Sequence, residues 1–295
     1  MKKLIVITGP TASGKTRLAI ELARLLQCDI ISADSRQIYR DIPVTTAAPT
    51  PDELAAARHH LVGFLPLDAY YSAARFEEDV MALLDRLFAR NDHAILAGGS
   101  MMYIDAVCRG IDQLPTISPE TRTRCMEIYQ TGGLEEITAR LARLDTEYLA
   151  TADTRNPRRM VHALEICLEA GVPYSSLRTG RAKERPFEIE RYAIVPERQQ
   201  MFDRINRRVI AMVDNGMVDE ARRVYPLRHL NSLNTVGFKE MFAHFDGLWD
   251  LDTAIARIQK NTRVYAKKQL TWLNRSTGYT ILPPDATAAH CISGG

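Results

Sequence analysis

The sequence lacks most of the features that mark disulfide-rich, zinc-binding or strongly basic proteins. It has five cysteines in 295 residues, and they are scattered, odd in number and without C-x-x-C spacing. This pattern predicts reduced thiols and argues against a disulfide framework or a zinc site. A net charge of +2 is too small to indicate nucleic-acid binding by itself. Any such contact must therefore come from local clusters of basic residues.

Long hydrophobic runs are also missing. The apolar stretch that follows the first lysines ends at Thr8, which is too early for a membrane helix or for the apolar part of a signal peptide. A cytoplasmic protein with no membrane partner is the expectation. Hydrophobic residues make up 46% of the chain and charged residues 25%, as in an ordinary globular protein. The length suits one large domain or a core with a second module.

The most informative stretch is a phosphate-binding loop between an apolar strand and an amphipathic helix. It reads Gly9-Pro10-Thr11-Ala12-Ser13-Gly14-Lys15-Thr16 and matches the pattern G-x-x-x-x-G-K-[ST]. Glycines at both ends let backbone N–H groups converge on phosphate oxygens. Lys15 adds a positive charge, and the Thr16 hydroxyl can hold Mg²⁺, the expected cofactor. The motif does not identify the molecule that carries the phosphate, and a purely structural glycine turn is the alternative.

The spacing of apolar residues predicts an α/β protein. Strand patterns alternate with helical ones up to residue 112, which predicts a parallel sheet flanked by helices, similar to the P-loop NTPase fold. Residues 113–190 show helical patterns alone and are predicted to form an all-helical insertion domain. The core then consists of 1–112 and 191–295. After Tyr279 the weak patterning favours disorder. The predicted strands are Leu4–Thr8, Asp29–Ala33, His93–Ala97 and Arg191–Val195.

Two further strand ends carry polar residues. Asp34 follows an apolar strand, and Gly98-Gly99-Ser100 follows another. In an open α/β sheet the loops at the carboxyl ends of the strands line the ligand crevice. Asp34 is thus a candidate general base or metal ligand, and Ser100 a candidate hydrogen-bonding partner for substrate. Asp34 serving only to cap the next helix is the alternative.

Basic residues cluster on three predicted helices. One begins at Asn156, a second carries Arg204, Arg207 and Arg208, and the third spans the region of Lys267. Each could be simply a solvated face, but together they suit a polyanion such as RNA. Because Arg204 and Arg208 lie four residues apart on one face, Arg208 is a candidate clamp for a phosphate leaving group.

Taken together, the motifs resemble those of the tRNA dimethylallyltransferase family, also called tRNA isopentenyltransferases. The resemblance runs in order from the first strand to Trp272. The matching stretches are Gly-Pro-Thr-Ala-Ser-Gly-Lys-Thr at 9–16, Ser-Ala-Asp-Ser-Arg-Gln-Ile-Tyr at 32–39, Gly-Gly-Ser-x-x-Tyr at 98–103, Asn-Pro-Arg-Arg-x-x-x-Ala-Leu-Glu at 156–165, Thr-Val-Gly-Phe-Lys-Glu at 235–240 and Asn-Thr-Arg-x-Tyr-Ala-Lys-Lys-Gln-x-Thr-Trp at 261–272. The chain has no C2H2 finger after these motifs, so it resembles the bacterial form.

This resemblance implies transfer of a dimethylallyl group from dimethylallyl diphosphate to N6 of adenosine 37 in tRNAs that read codons beginning with U. The phosphate loop then holds diphosphate, and Asp34 acts as the base, assisted by Lys15, Thr16 with Mg²⁺, and Arg208. The insertion domain is implied to contact the tRNA anticodon stem-loop, and the enzyme is expected to be a monomer. The residues implied to contact tRNA are Asp34, Ser35, Arg36, Gln37, Ser100, Arg122, Arg158, Arg159, Met160, Val161 and His162.

Departures from the family pattern include Ser100 and His162, and three other functions stay open. Ser100 stands where threonine is usual and keeps the hydroxyl, whereas His162 replaces a common arginine, so its charge depends on pH. A small-molecule or nucleotide kinase would carry the same phosphate loop. An adenylate prenyltransferase shares the loop and the base but needs no RNA-binding insertion. A non-catalytic RNA-binding module is the third alternative.

Overall fold

The computed structural model describes residues 1–292, which divide into two compact units. The first, here the core unit, comprises residues 1–108 and 184–295, of which the last three lie outside the described residues. The second, the helical unit, comprises residues 109–183. Sequence patterns had set the boundaries at 112 and 190. The second boundary falls earlier because the fifth strand begins at Glu188, where the polar residues Glu188 and Glu190 obscure the strand pattern.

Regular elements cover most of the described chain. In chain order they are β1 Lys3–Thr8, α1 Lys15–Leu26, β2 Ile30–Ala33, α2 Pro51–Ala56, β3 His59–His60, α3 Ala73–Phe88, β4 His93–Gly98, α4 Met101–Arg109, α5 Pro119–Leu144, α6 Thr146–Thr151, α7 Pro157–Ala170, α8 Tyr174–Leu177, β5 Glu188–Ile194, α9 Arg198–Asp214, α10 Met217–Val224, α11 Phe238–Phe245, α12 Leu251–Arg275, β6 Thr280–Leu282 and α13 Ala289–Ile292. Short 3₁₀ turns at Tyr225–Leu227 and Asn231–Leu233 join α10 to α11.

A single parallel sheet of six strands forms the centre of the core unit. Its order is β3-β2-β4-β1-β5-β6, and every neighbouring pair runs parallel. The central strands are continuous apolar runs because helices cover both faces of such a sheet. β4 lies between β1 and β2, with Ile5 opposite Ile95 and Ile31 opposite Leu96. This order brings three carboxyl ends side by side, and it confirms the predicted P-loop-like α/β fold.

Helices from both halves of the chain bury the sheet. Leu18 and Leu22 of α1 pack with Ile5 and Ile95 in one fully buried cluster. A second cluster joins the four helices α9, α10, α11 and α12 to the segment that follows β2. One residue from each helix packs with Ile38 and Ile42 of that segment: Val209, Met217, Phe238 and Ile258. The second cluster matters for the site, because it ties the last third of the chain to the loop that carries Asp34.

The helical unit has its own apolar core. Ile137 and Leu141 of α5 pack against Met160 and Leu164 of α7, and all four side chains are fully buried. α5 has a break at Gly133, whose φ of 65° lies in the left-handed region. Within the described residues, every regular element of this unit is a helix.

The segment after Tyr279 is structured as far as Ile292, so the expectation of disorder is wrong for that stretch. β6 adds to the sheet beside β5, with Leu282 opposite Ile194. Ala286, Ala288 and Cys291 then pack into the cluster formed by α1 and the sheet. The strand was missed because it has only three residues, of which only Leu282 is buried. All five cysteine thiols are free and buried, and no described helix is both long and apolar enough to cross a membrane.

The buried segment after Tyr279 makes a prediction about stability. Leu282 is 4% exposed and its neighbour Ile281 is 58% exposed. Replacing Leu282 by alanine should lower the free energy of unfolding by about 2–4 kcal/mol, because it leaves a cavity in the core. Ile281→Ala is the matched control and should cost less than about 0.5 kcal/mol. Urea unfolding measures both, and equal small losses would show that β6 adds nothing to the core.

Candidate active site

Three loops meet at the carboxyl edge of the sheet because of the strand order. β1 leads into the phosphate loop, β4 into Gly98–Ser100, and β2 into Asp34. The β4 loop lies between the other two. Gly98 has to be glycine, since a Cβ there would overlap the backbone carbonyl of Ala33 on β2. The strands can therefore approach closely enough for the three loops to form one site.

The phosphate loop takes a conformation that only glycine allows at two positions. Gly9 and Gly14 have φ values of 148° and 99°, and a Cβ on Gly9 would overlap the carbonyl of Ile194 on β5. The loop ends at the first turn of α1, where the N–H groups of Gly14, Lys15 and Thr16 have no hydrogen-bond partner in the described chain. Unpaired N–H groups at a helix N-terminus form a ready anion site.

Two buried cations lie beside this loop. Lys15 donates a hydrogen bond from Nζ to the carbonyl of Pro10, at 2.8 Å. Burial lowers the pKa of Lys15 to about 7, with a further lowering from the charge of Arg208, while Asp34 opposes the shift. Arg208 of α9 donates to the Thr11 hydroxyl and to the carbonyl of Ala47, each at 3.3 Å. Burial also lowers the pKa of Arg208. The pair therefore favours an anion between them.

The two oxygens of the Asp34 carboxylate have different surroundings. Its Oδ1 accepts hydrogen bonds from the N–H groups of Arg36 at 2.9 Å and Gln37 at 3.3 Å. These bonds stabilise the turn after β2; no helix follows there, so the expected alternative of a helix cap takes the form of a turn cap. Oδ2 has no hydrogen-bond partner in the described part of the chain, and Asp34 lines the same cavity as Lys15 and Thr16. One carboxylate oxygen is thus available for chemistry.

The other residues expected to contact tRNA in the core unit also support neighbouring loops. Ser100 is 7% exposed and accepts a hydrogen bond from the N–H of Ser35 at 2.8 Å. Arg36 donates to the carbonyls of Asn231 and Ser232, both at 3.0 Å. These contacts fix Ser35 and Arg36 at the rim of the site without excluding an approach by RNA.

A loop that sequence patterns did not single out closes one side of the site. It spans residues 42–48. Gln37 donates to the carbonyl of Ala47 at 2.9 Å, and the buried carboxylate of Glu220 accepts from the N–H groups of Val44 and Thr45, at 2.8 and 2.7 Å. Glu220 lies on α10, far along the chain. A buried glutamate on an amphipathic helix gives no signal that it holds a distant loop.

Two adjoining cavities result from this arrangement. The phosphate cavity, of about 100 Å³, is lined by Lys15, Thr16 and Asp34. The wide cavity, of about 470 Å³, shares Thr11, Asp34 and Arg208 with it. One wall of the wide cavity is apolar and is formed by Ile205, Val209, Met212, Met217, Val236 and Ile258. The site therefore places an anion-binding loop, a carboxylate and an apolar surface next to one another.

The oxygen donors of the phosphate cavity fit Mg²⁺. Thr16 and Ser32 supply hydroxyls and Asp34 supplies a carboxylate. Among residues 1–292 no group of three or more histidine, cysteine or acidic side chains could hold a metal by itself. Mg²⁺ commonly takes one or two protein ligands and completes its shell with phosphate and water. Such an ion would thus be held together with a phosphorylated ligand.

The remaining residues expected to contact tRNA lie on the helical unit. Arg122 and His162 face the same buried carboxylate, Glu165, at 3.9 and 3.4 Å. Arg158 and Arg159 are exposed at the start of α7, and Val161 is half-buried. Met160 is fully buried in the unit's core, so the expected RNA contact is wrong for its side chain. Because successive residues of an α-helix point in different directions, Met160 faces the core of the unit while Arg158 and Arg159 face solvent.

The fold and the site together define a phosphate-handling enzyme with a P-loop-like core. The IPP transferase family model matches residues 37–276, and the chain belongs to this family. It is 50% identical to tRNA dimethylallyltransferase 1 of Phocaeicola vulgatus over 96% of this chain and 94% of that one. It is 49% identical to tRNA dimethylallyltransferase 2 of Parabacteroides distasonis over 98% and 97% of the two chains.

Solved structures agree with this assignment. The tRNA isopentenylpyrophosphate transferase of Bacillus halodurans superposes with a TM-score of 0.72 at 32% identity, over 99% of this chain and 94% of that one. A eukaryotic dimethylallyltransferase acting on tRNA superposes with a TM-score of 0.82, over 96% and 74%. At 23% identity the second likeness shows the fold alone. The kinase alternative gains no support from these relatives.

The low pKa of Lys15 makes a prediction about pH. At pH 8 the free protein should hold Lys15 largely neutral, and a bound diphosphate should raise its pKa and draw in a proton. Affinity for inorganic diphosphate should then fall as pH rises from 7 to 9, by at most about tenfold per pH unit. Calorimetry in two buffers of different ionisation enthalpy measures the proton uptake.

Lys15→Arg is the control, because arginine stays charged over this range. Its diphosphate binding should show less proton uptake than that of the unchanged protein, and the difference isolates Lys15 from titration of the diphosphate itself. Equal proton uptake in both proteins would contradict the assignment.

Proposed function

We propose that this protein transfers a dimethylallyl group from dimethylallyl diphosphate to N6 of adenosine 37 in tRNAs that read codons beginning with U, releasing diphosphate. The observation that carries the proposal is that the phosphate cavity and the wide cavity adjoin each other. Unpaired loop N–H groups and two buried cations suit diphosphate, and the adjacent apolar wall suits a five-carbon hydrocarbon. Asp34 lies where the two cavities meet. Membership of the IPP transferase family supports the same reaction.

The reaction requires a good leaving group and a base. The allylic C–O bond breaks with its electron pair passing to diphosphate, and the N6 lone pair of adenine forms the new C–N bond. Lys15, Arg208 and the N–H groups of the phosphate loop stabilise the charge that develops on diphosphate. Asp34 accepts the N6 proton through Oδ2, while Oδ1 stays bound to the turn. Mg²⁺ held at Thr16 would add positive charge on the diphosphate.

The adenine must leave its stack to reach Asp34, as bases do when an enzyme needs an atom that stacking hides. Ser35, Arg36 and Gln37 follow Asp34, and each lines one of the two cavities, which supports a contact with the flipped nucleotide. Ser100 contributes through its bond to Ser35. The core unit also carries cations without ion pairs in the described chain: Arg198, Arg263 and Lys267 surround the ring of Phe202 at 5.4 to 5.9 Å. Such a surface suits RNA phosphates.

The helical unit is assigned to the anticodon stem-loop. Arg158 and Arg159 are exposed and form no ion pair within residues 1–292. Arg122 lies beside the carboxylate of Glu165, so it offers less free positive charge, and His162, beside the same carboxylate, is charged only when protonated. Contacts of this kind fix the position of the RNA and carry no sequence information themselves. We assign a monomer, since one chain contains every element of the site.

A four-way incubation tests the function. The protein is mixed with dimethylallyl diphosphate or ATP, and with unmodified tRNA or AMP. The expected result is N6-dimethylallyl adenosine in tRNA, one diphosphate per transfer and no consumption of ATP. Prenylated AMP without modified tRNA would identify an adenylate prenyltransferase. ATP consumption without transfer to tRNA would identify a kinase and overturn the proposal.

Asp34 should act on the rate far more than on tRNA binding. Asp34→Asn keeps an Oδ1 that accepts from the N–H groups of Arg36 and Gln37, but it cannot take a proton. We expect kcat to fall by about 10²- to 10⁴-fold with little change in the Kd for tRNA. Asp34→Ala loses the turn bonds as well and serves as the comparison. An asparagine variant that loses rate and tRNA affinity to the same extent would make Asp34 a structural residue.

A further inference from the structure

One side chain from the far end of the chain joins two of the three loops of the site. Gln269 lies on α12, is 5% exposed and lines the phosphate cavity. Its Oε1 accepts a hydrogen bond from the N–H of Thr11 in the phosphate loop, at 2.9 Å. Its Nε2 donates to the carbonyl of Gly99 after β4, at 2.8 Å. A single carboxamide thus bridges the loops that follow β1 and β4.

The chemistry of both partners fixes the identity of this residue. Thr11 presents an N–H, which needs an acceptor, and Gly99 presents a carbonyl, which needs a donor. A carboxamide offers an acceptor and a donor on two separate atoms of the same end without ionising, whereas a carboxylate of the same shape offers only acceptors. The fit is tight, because a Cβ on residue 99 would overlap Nε2 of Gln269. A carboxylate in the same place would put an oxygen against the oxygen of Gly99.

The phosphate loop needs such a support. Ala12 adopts a φ of 61°, a left-handed conformation that costs a residue with a side chain about 1–2 kcal/mol. Neighbouring contacts must hold this conformation. Ala266 of α12 lies one turn before Gln269 and packs with Ala12 in one small apolar cluster. Thr11 is held at its N–H by Gln269 and at its hydroxyl by Arg208. α12 therefore bonds to Thr11 directly and contributes Ala266 to the cluster against which Ala12 packs.

We infer that Gln269 is a positioning residue that holds the phosphate loop in its anion-binding conformation and couples it to the Gly98–Ser100 loop. The test by prenyl transfer rests on the proposed function, whereas the inference itself concerns the conformation of the phosphate loop. Loss of the bridge leaves the part-buried N–H of Thr11 and the buried carbonyl of Gly99 without these partners, so the loop relaxes. Diphosphate binding weakens as a result, whereas tRNA affinity does not depend on this bridge.

The decisive variant is Gln269→Glu, which has almost the same shape. At pH 8 the carboxylate can accept from Thr11 but repels the carbonyl of Gly99, and we expect the Kd for inorganic diphosphate and the KM for dimethylallyl diphosphate to rise about tenfold or more. At low pH the protonated acid offers both an acceptor and a donor. The ratio of mutant to unchanged diphosphate affinity should therefore recover as pH falls from 8 to about 4, through the ordinary pKa range of a glutamate carboxyl. The charged or titratable groups that share this cavity are Lys15, Arg208, Asp34, His59 and Tyr265.

Two controls separate positioning from general damage. Gln259→Glu alters another glutamine of α12, whose Nε2 donates to the carbonyl of Asn206 at 3.3 Å, and should leave diphosphate affinity unchanged at every pH. Gly99→Ala leaves Gln269 in the sequence but displaces its amide, and should weaken diphosphate binding without recovery at low pH.

The outcomes distinguish this inference from the proposed function. If diphosphate affinity responds as described but no prenyl group reaches tRNA, the bridge stands and the proposed function falls. If prenyl transfer occurs and Gln269→Glu matches the unchanged protein at pH 8, the bridge is overturned. Low activity of Gln269→Glu with no recovery at low pH, accompanied by a lower melting temperature, would also overturn it, because the residue would then support the fold in general.

Discussion

The site is organised around two cations buried beside a single carboxylate. Lys15 and Arg208 have lowered pKa values because the protein removes them from water, and Asp34 offsets this only in part. Like charges in a poorly solvated space are unfavourable until an anion lies between them. The unpaired N–H groups of the phosphate loop add partial positive charge to the same space. Affinity for a multiply charged phosphate follows directly from this constraint, and in the proposed reaction the same charges stabilise the departing diphosphate.

The sheet makes this charge arrangement possible. β4 lies between β1 and β2, so the loops that carry Lys15 and Asp34 are separated by one strand. Gly98 allows the close approach, and Ser100 connects the β4 loop to Ser35 on one side. Gln269 connects it to the phosphate loop on the other side. A carboxylate and an anion site are therefore held near each other by the strand order and by two buried side chains that bond to the backbone of the loops.

The apolar wall of the site depends on helices that lie far along the chain from the loops after β1, β2 and β4. α9 and α12 supply Arg208, Gln269 and most of the apolar wall of the wide cavity, and α10 supplies Glu220, which holds the loop 42–48. Their buried faces pack on the segment after β2, so the apolar wall and Arg208 share one support. The helical unit, with its own core, presents Arg158 and Arg159 at the start of α7.

The sequence by itself determined those features that depend on residues close together in the chain. The phosphate loop, the buried central strands, Asp34 at a strand end and the long amphipathic helices were all readable, because glycine spacing and apolar period act over a few positions. Three-residue β6 gave no such signal. The inward turn of Met160, the hold of Glu220 on a distant loop and the bridge made by Gln269 were decided by tertiary structure. Each depends on which backbone groups a folded chain brings within about 3 Å, and that is set by strand order and helix packing rather than by adjacent residues.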